Sequence, residues 1–263
     1  MGRVGTRVFA KFGEAFEDYA SDILRRMYPH VAGLVDRVAF RLGGEDGQGK
    51  EFEIDAAVFE VREAAVIEMK AAFLAEKAIA DDDPEVLIGE IRSKYGASQK
   101  SGERDKGVAQ LARSIGAIAR GECLGANGEF RNLDVLHPVL VVHDSRLDTP
   151  ALGNFLETDF RTLLGAVPKA KRVAPLTIVT IQDLENLEKS IEGFGFMELL
   201  RDYDRECPDR MRSLHNFLAY SGYAKKILPS EFLIDRSVEV LDLLKAELFP
   251  DAAMPDRSWH KKK

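Results

Sequence analysis

Apolar residues recur at helical spacing through residues 5–28. Val8, Phe9, Phe12, Phe16, Tyr19, Ala20, Ile23, Leu24 and Met27 form one stripe, and Pro29 ends the helix. The period then shortens. Leu34–Leu42 reads as a strand, while Glu53–Val61 and Ala65–Lys70 are rich in β-branched and apolar residues. With Arg62-Glu63 as the turn between them, these two runs predict a hairpin. Residues 71–93 are mixed and broken at Asp81-Asp82-Asp83-Pro84. Residues 94–107 are polar and locally basic, with Lys94, Lys100, Arg104 and Lys106 against Glu103 and Asp105, and read as a mobile loop. A helix over 106–120 buries Val108, Leu111, Ala112, Ile115 and Ile118 and leaves Gln110 and Arg113 off the stripe. The continuous apolar run Leu136–Asp144 predicts a strand covered on both faces. Thr149-Pro150 starts a helix over 150–165, Ala174–Ile181 is a second buried strand, and Gln182-Asp183 leads into a helix through Ile191. Helices over 196–205, 208–222 and 230–248 complete the chain, the last capped by Ser230. The order α-β-β-β-α-β-α-β followed by helices predicts an α/β fold with a mixed central sheet.

Composition narrows the class. The chain has 263 residues, 45% of them hydrophobic and 31% charged, a balance that predicts a folded globular protein rather than a disordered one. No apolar run approaches the roughly 18 residues of a membrane helix. The first residues, Met1-Gly2-Arg3-Val4-Gly5, lack the apolar core of a secretory signal. Two cysteines, Cys123 and Cys207, form no framework and no CxxC motif, so a cytoplasmic location is expected. The net charge of −7 argues against a nucleic-acid partner for the chain as a whole, although a site can be locally basic on an acidic protein.

Three stretches carry candidate chemistry. Gly44–Lys50 approximates a phosphate-binding loop, but Glu51 stands where a hydroxyl residue is needed, Glu45 and Asp46 would repel phosphate, and a strand follows. It reads as a glycine-rich hairpin loop. The basic cluster Lys169, Lys171 and Arg172 is either a phosphate contact or an ordinary solvated loop. His137 and His143 flank a buried strand and read as structural histidines, and no histidine pair has metal-ligand spacing. The third stretch is Glu68-Met69-Lys70, the one place where an acidic residue stands two positions before a lysine. Alternation puts Glu68 and Lys70 on one face of their strand, and the hairpin returns Asp55 to the same level. Charges converging on a sheet are costly unless they pair or bind a metal. Two carboxylates suit Mg2+, and a lysine beside them can orient or deprotonate an attacking water. Glu17, on the border of the first helix's stripe, is either a solvated carboxylate or a reach over the sheet edge.

These residues resemble the PD-(D/E)XK nuclease superfamily over about residues 10–145. The resemblance rests on Gly13-x-x-Phe16-Glu17 on the opening helix, Asp55 on the second strand, Glu68-x-Lys70 on the third, and Gln110 on the following helix. Ile54 stands where that family often has proline. The resemblance implies a restriction-endonuclease-like α-β-β-β-α-β core over 1–182 with a helical C-terminal extension over 183–263. It implies that Asp55 and Glu68 ligate Mg2+ (or Mn2+), with Glu17 ligating directly or through water. Lys70 handles the attacking water and Gln110 contacts phosphate or the nucleophile region. The expected activity is Mg2+-dependent DNA endonuclease cleavage leaving 5′-phosphates, in restriction or anti-phage defence, with a homo-oligomer or a defence-system subunit as partner. RNA stays open as a substrate. The competing reading is a non-catalytic nuclease-like module for DNA binding or assembly, which suits the acidic total charge better.

Overall fold

The structure, a computed structural model, describes residues 3–45, 49, 51–96, 107–123, 125 and 128–248. A long helix α1 (Arg3–Met27) leads into three antiparallel strands, β1 (Val38–Glu45), β2 (Glu51–Glu60) and β3 (Glu63–Lys70). Helices α2 (Glu76–Ile79), α3 (Pro84–Tyr95) and α4 (Val108–Arg120) cross to β4 (Val135–Val142), which pairs parallel to β3. Helix α5 (Leu152–Leu164) precedes β5 (Arg172–Val173) and β6 (Thr177–Thr180), both parallel to β4. Helices α6 (Ile181–Ser190), α7 (Phe196–Glu206), α8 (Leu214–Tyr220) and α9 (Glu231–Leu248) follow. The result is an α/β fold on an open mixed sheet ordered β1-β2-β3-β4, with β5 and β6 on the far side of β4.

Two apolar layers sandwich β3 and β4. On one face Ile67, Met69, Val139 and Val141 pack with Phe16, Ile23 and Leu24 of α1 and with side chains of α6, α7 and α8, among them Leu187, Phe196 and Phe217. On the other, Val66, Leu140 and Val142 pack with Leu111, Ile115 and Ile118 of α4 and with Leu156 and Phe160 of α5. Both strands are therefore apolar almost throughout, which explains why their sequences lack alternation. The outer hairpin differs. Glu51–Ile54 alternates exposed and buried, whereas Ala56, Ala57 and Val58 are all buried. Leu42, Phe52 and Ile54 join the α4 layer, while Phe40, Ala56 and Val58 join the α1 layer. The β1–β2 ribbon changes layers at Asp55 without losing register.

Several boundaries depart from the sequence-based expectation. Strand β1 starts at Val38, because Gly33 at φ +85° and a Leu34 N–H to Val31 O bond of 3.0 Å turn the chain and leave Leu34 and Val35 exposed. Glu60 pairs with Glu63, so the hairpin turn is Val61-Arg62 and Glu63 belongs to β3. The mixed stretch after β3 contains α3, started by Pro84 with the Asp83 carboxylate accepting the Glu85 N–H at 3.0 Å. The strand expected over 174–181 is found as β6 from Thr177 on, separated from β5 by a break at Pro175, which has no N–H to give a ladder. Arg210, buried and at φ 55°, seals that gap by donating to Pro175 O at 3.0 Å, Leu176 O at 2.9 Å and Cys207 O at 2.8 Å. It also pairs with Asp204. This use of Arg210 is why the helix expected over 208–222 begins only at Leu214, capped by Ser213. Ser230 caps α9, accepting the Leu233 N–H at 3.3 Å. Residues 97–106 of the expected basic loop, residues 46–48 and 50 of the glycine-rich loop, and the tail from 249 lie outside the described residues. Among the described residues, no helix is long and apolar enough to cross a membrane.

Val61 sits fully exposed in the turn at φ 50°, a region that β-branched side chains avoid. Glycine accepts that conformation without steric penalty. Val61→Gly should stabilise the fold by about 1 kcal/mol, seen as a melting temperature higher by roughly 2–4 °C. An unchanged or lower value would mean the turn is not strained.

Candidate active site

Strand β3 carries the centre of the site because it has neighbours on both sides. Ile67 pairs with Ala56, so the next antiparallel step places Asp55 across from Glu68, while Leu140 flanks Glu68 on β4. Glu68 is only 2% exposed. The Lys70 ammonium lies 2.5 Å from Glu68 Oε1. Lys70 is thus the partner of Glu68 Oε1, in a close ion pair whose angles fall short of a well-aligned hydrogen bond. Asp55 Oδ2 accepts the Met69 N–H at 2.7 Å, which ties the carboxylate to the strand bearing its partners. Lys70 keeps 22% of its side chain exposed, so the cluster reaches solvent there.

The charges act on one another. Burial pushes Glu68 up to about 8, helped by Asp55 and Glu17 and opposed by Lys70. Burial likewise raises Asp55, against the pull of Lys70, the Met69 N–H and Arg41. Glu17 reaches this group from α1: burial and Asp55 raise it, and Lys70 and Arg41 oppose. For Lys70, burial favours the neutral amine, but Glu68, Asp55 and Glu17 more than offset it and keep the ammonium charged. Lys70 is thus suited to orienting water and neutralising charge, not to removing a proton. Glu17, Asp55, Glu68 and Lys70 form one coupled cluster drawn from α1, β2 and β3.

Gln110 bonds the main chain two residues from Asp55. Its Nε2 donates to the Glu53 carbonyl at 3.1 Å, docking α4 onto the outer end of β2. Two residues that the motif did not single out belong to the cluster's surroundings, Arg41 and Glu53, which both act on Glu17 and Asp55. Their signal is register: on β1, Arg41 falls between Phe40, paired with Ala56, and Leu42, paired with Ile54, and so lies across from Asp55. The remaining candidates have structural duties. His137, 3% exposed, bonds through Nε2 to Glu63 at 2.9 Å, and burial lowers its pKa. His143 is enclosed by Phe12, Phe16 and Phe73. Lys171 donates to Phe130 O at 3.1 Å. Cys123 and Cys207 are free and buried.

Asp55 and Glu68 present oxygen donors, the ligand type that a hard dication takes. Among the described residues, no three Asp, Glu, His or Cys side chains form a closed cage. Two carboxylates, Asp55 and Glu68, would leave the rest of such an ion's shell to water and substrate, an arrangement that Mg2+ accepts. No family model matches the chain, and no curated protein or solved structure is significantly similar to it.

The raised pKa of Glu68 has a stability consequence. An acid whose pKa is higher folded than unfolded contributes stability that is present below the unfolded value, 4.5, and lost as pH rises through about 8. Glu68→Gln should therefore melt several degrees higher than the unchanged chain at pH 8.5, with little difference at pH 4.5. Equal differences at both pH values would show that Glu68 ionises normally in the fold.

Proposed function

We propose that this chain is a metal-dependent phosphodiester hydrolase acting on DNA, built on a restriction-endonuclease-like core. The observation that carries the reading is the buried Glu68 carboxylate, paired with a charged Lys70 and standing across the sheet from Asp55. A scaffold could fill this position with an apolar residue at lower energetic cost. When bound, Mg2+ or Mn2+ supplies positive charge to the phosphate oxygens and to the attacking water. Asp55 and Glu68 are the residues that hold it. Lys70 orients the water in line with the leaving 3′-oxygen and offsets charge building on the phosphate. Glu17 would ligate the ion directly or hold one of its waters, and its raised pKa suits it to take the proton that the attacking water loses. Gln110 holds the outer end of β2 in place from α4. The products expected are 5′-phosphates, and restriction or anti-phage defence is the setting such an activity suits.

A second reading, a non-catalytic nuclease-like module, is favoured by the net charge of −7. Incubation with plasmid, oligodeoxynucleotide and oligoribonucleotide, in Mg2+, Mn2+ or EDTA, separates the two and decides between DNA and RNA. We expect metal-dependent DNA cleavage that falls by about 100-fold or more in Asp55→Ala, Glu68→Ala and Lys70→Ala. Mg2+ should raise the melting temperature of the unchanged chain at pH 8 and leave Asp55→Ala unmoved. Cleavage that persists in Glu68→Ala and Lys70→Ala would overturn the site. Absence of both cleavage and a Mg2+-dependent melting shift would establish the module instead.

A further inference from the structure

We propose that Arg41 grips the backbone phosphate of the bound nucleic acid beside the reacting phosphodiester; the inference rests on the nuclease reading of the site. The need comes from charge. Glu17, Asp55, Glu68 and Glu53 act on one another in this cluster, and each of them that ionises repels an approaching phosphate. Among the described residues, the cations acting on Glu17 and Asp55 are Lys70 and Arg41. Lys70 is already held against Glu68 and keeps only 22% of its side chain exposed. Arg41 is 71% exposed, and its partner Asp18, at 3.4 Å, is equally exposed, an ion pair too weak to hold it from a better ligand. A guanidinium offers two parallel N–H donors that match phosphate oxygens, a geometry that lysine lacks.

The backbone supplies a second, independent observation. Arg41 lies within β1 at φ 51°, where glycine is the residue of least steric penalty. It stands across from Asp55, at the step where the β1–β2 ribbon passes from one apolar layer to the other. A position that suits glycine instead carries a long exposed cation beside the carboxylates.

The experiment compares the unchanged chain with Arg41→Ala, Arg41→Gly and Arg41→Lys. Binding of a fluorescein-labelled oligodeoxynucleotide is followed by anisotropy across a salt series, with Ca2+ in place of Mg2+, and melting is measured alongside. Arg41→Gly should melt above Arg41→Ala, since it relieves the φ 51° conformation, while both lose affinity by about tenfold. Their log–log salt dependence should be shallower by about 0.7–0.9, the value of one lost phosphate contact. Arg41→Lys should recover the slope and only part of the affinity. An unchanged slope in Arg41→Ala and Arg41→Gly overturns the proposal, and so does failure of the unchanged chain to bind the oligonucleotide. Binding with the expected Arg41 dependence but no cleavage in Mg2+ or Mn2+ would uphold the phosphate contact and refute the hydrolase reading.

Discussion

Glu68 sets the main constraint on this fold. A carboxylate that is 2% exposed, with a single lysine against one of its oxygens, is costly to keep ionised in proportion to its burial. Its strand therefore needs strong support from elsewhere, and receives it. On one side of β3, Ile67 and Met69 meet α1, α6, α7 and α8; on the other, Ala64 and Val66 meet α4. The two layers hold the backbone of Glu68-Met69-Lys70 between β2 and β4, so the charged groups cannot relax towards water by moving the strand. A looser sheet would let Lys70 and Glu68 separate into solvent, and the coupled titration of the cluster would vanish with it.

Much of this was legible in the sequence, for identifiable reasons. The change from helical spacing in α1 to short apolar runs marks the order of elements, because each run is long enough for its period to dominate. Glu68-x-Lys70 and Asp55 were visible as charges within apolar strands, and the structure brings them together with Glu17. What escaped notice depends on long-range pairing. Arg41 becomes a neighbour of the cluster only through the β1–β2 register, whereas Glu53 stands two residues from Asp55 on β2 itself. Arg210 reads as an ordinary polar residue in a helical stretch, yet its side chain closes the break in the sheet at Pro175. Gln110 sits off the stripe of α4 as expected, but its partner is a main-chain carbonyl of β2 rather than the charged groups. A single sequence carries no direct record of such contacts.

The acidic character of the chain and the proposed work on phosphate meet at one small region. A net charge of −7 slows a polyanion's approach from long range. Close contact depends on a few cations, and their placement matters more than their number. Lys70 is held inside the carboxylate group, while Arg41 stands outside it at the solvent edge. Such a division lets one cation organise the interior of the cluster while the other remains available to whatever approaches.

The parallel pairing of β3 with β4 also bears on how the chain assembles. The three strands from Val38 to Lys70 are joined by short connections and can pair early. Strand β4 begins 65 residues after Lys70, at Val135, and closing that loop must precede the contacts that reward it. Glu68 is enclosed only once β4 and α4 arrive. The most unfavourable charge is thus buried late, and until then its carboxylate remains hydrated.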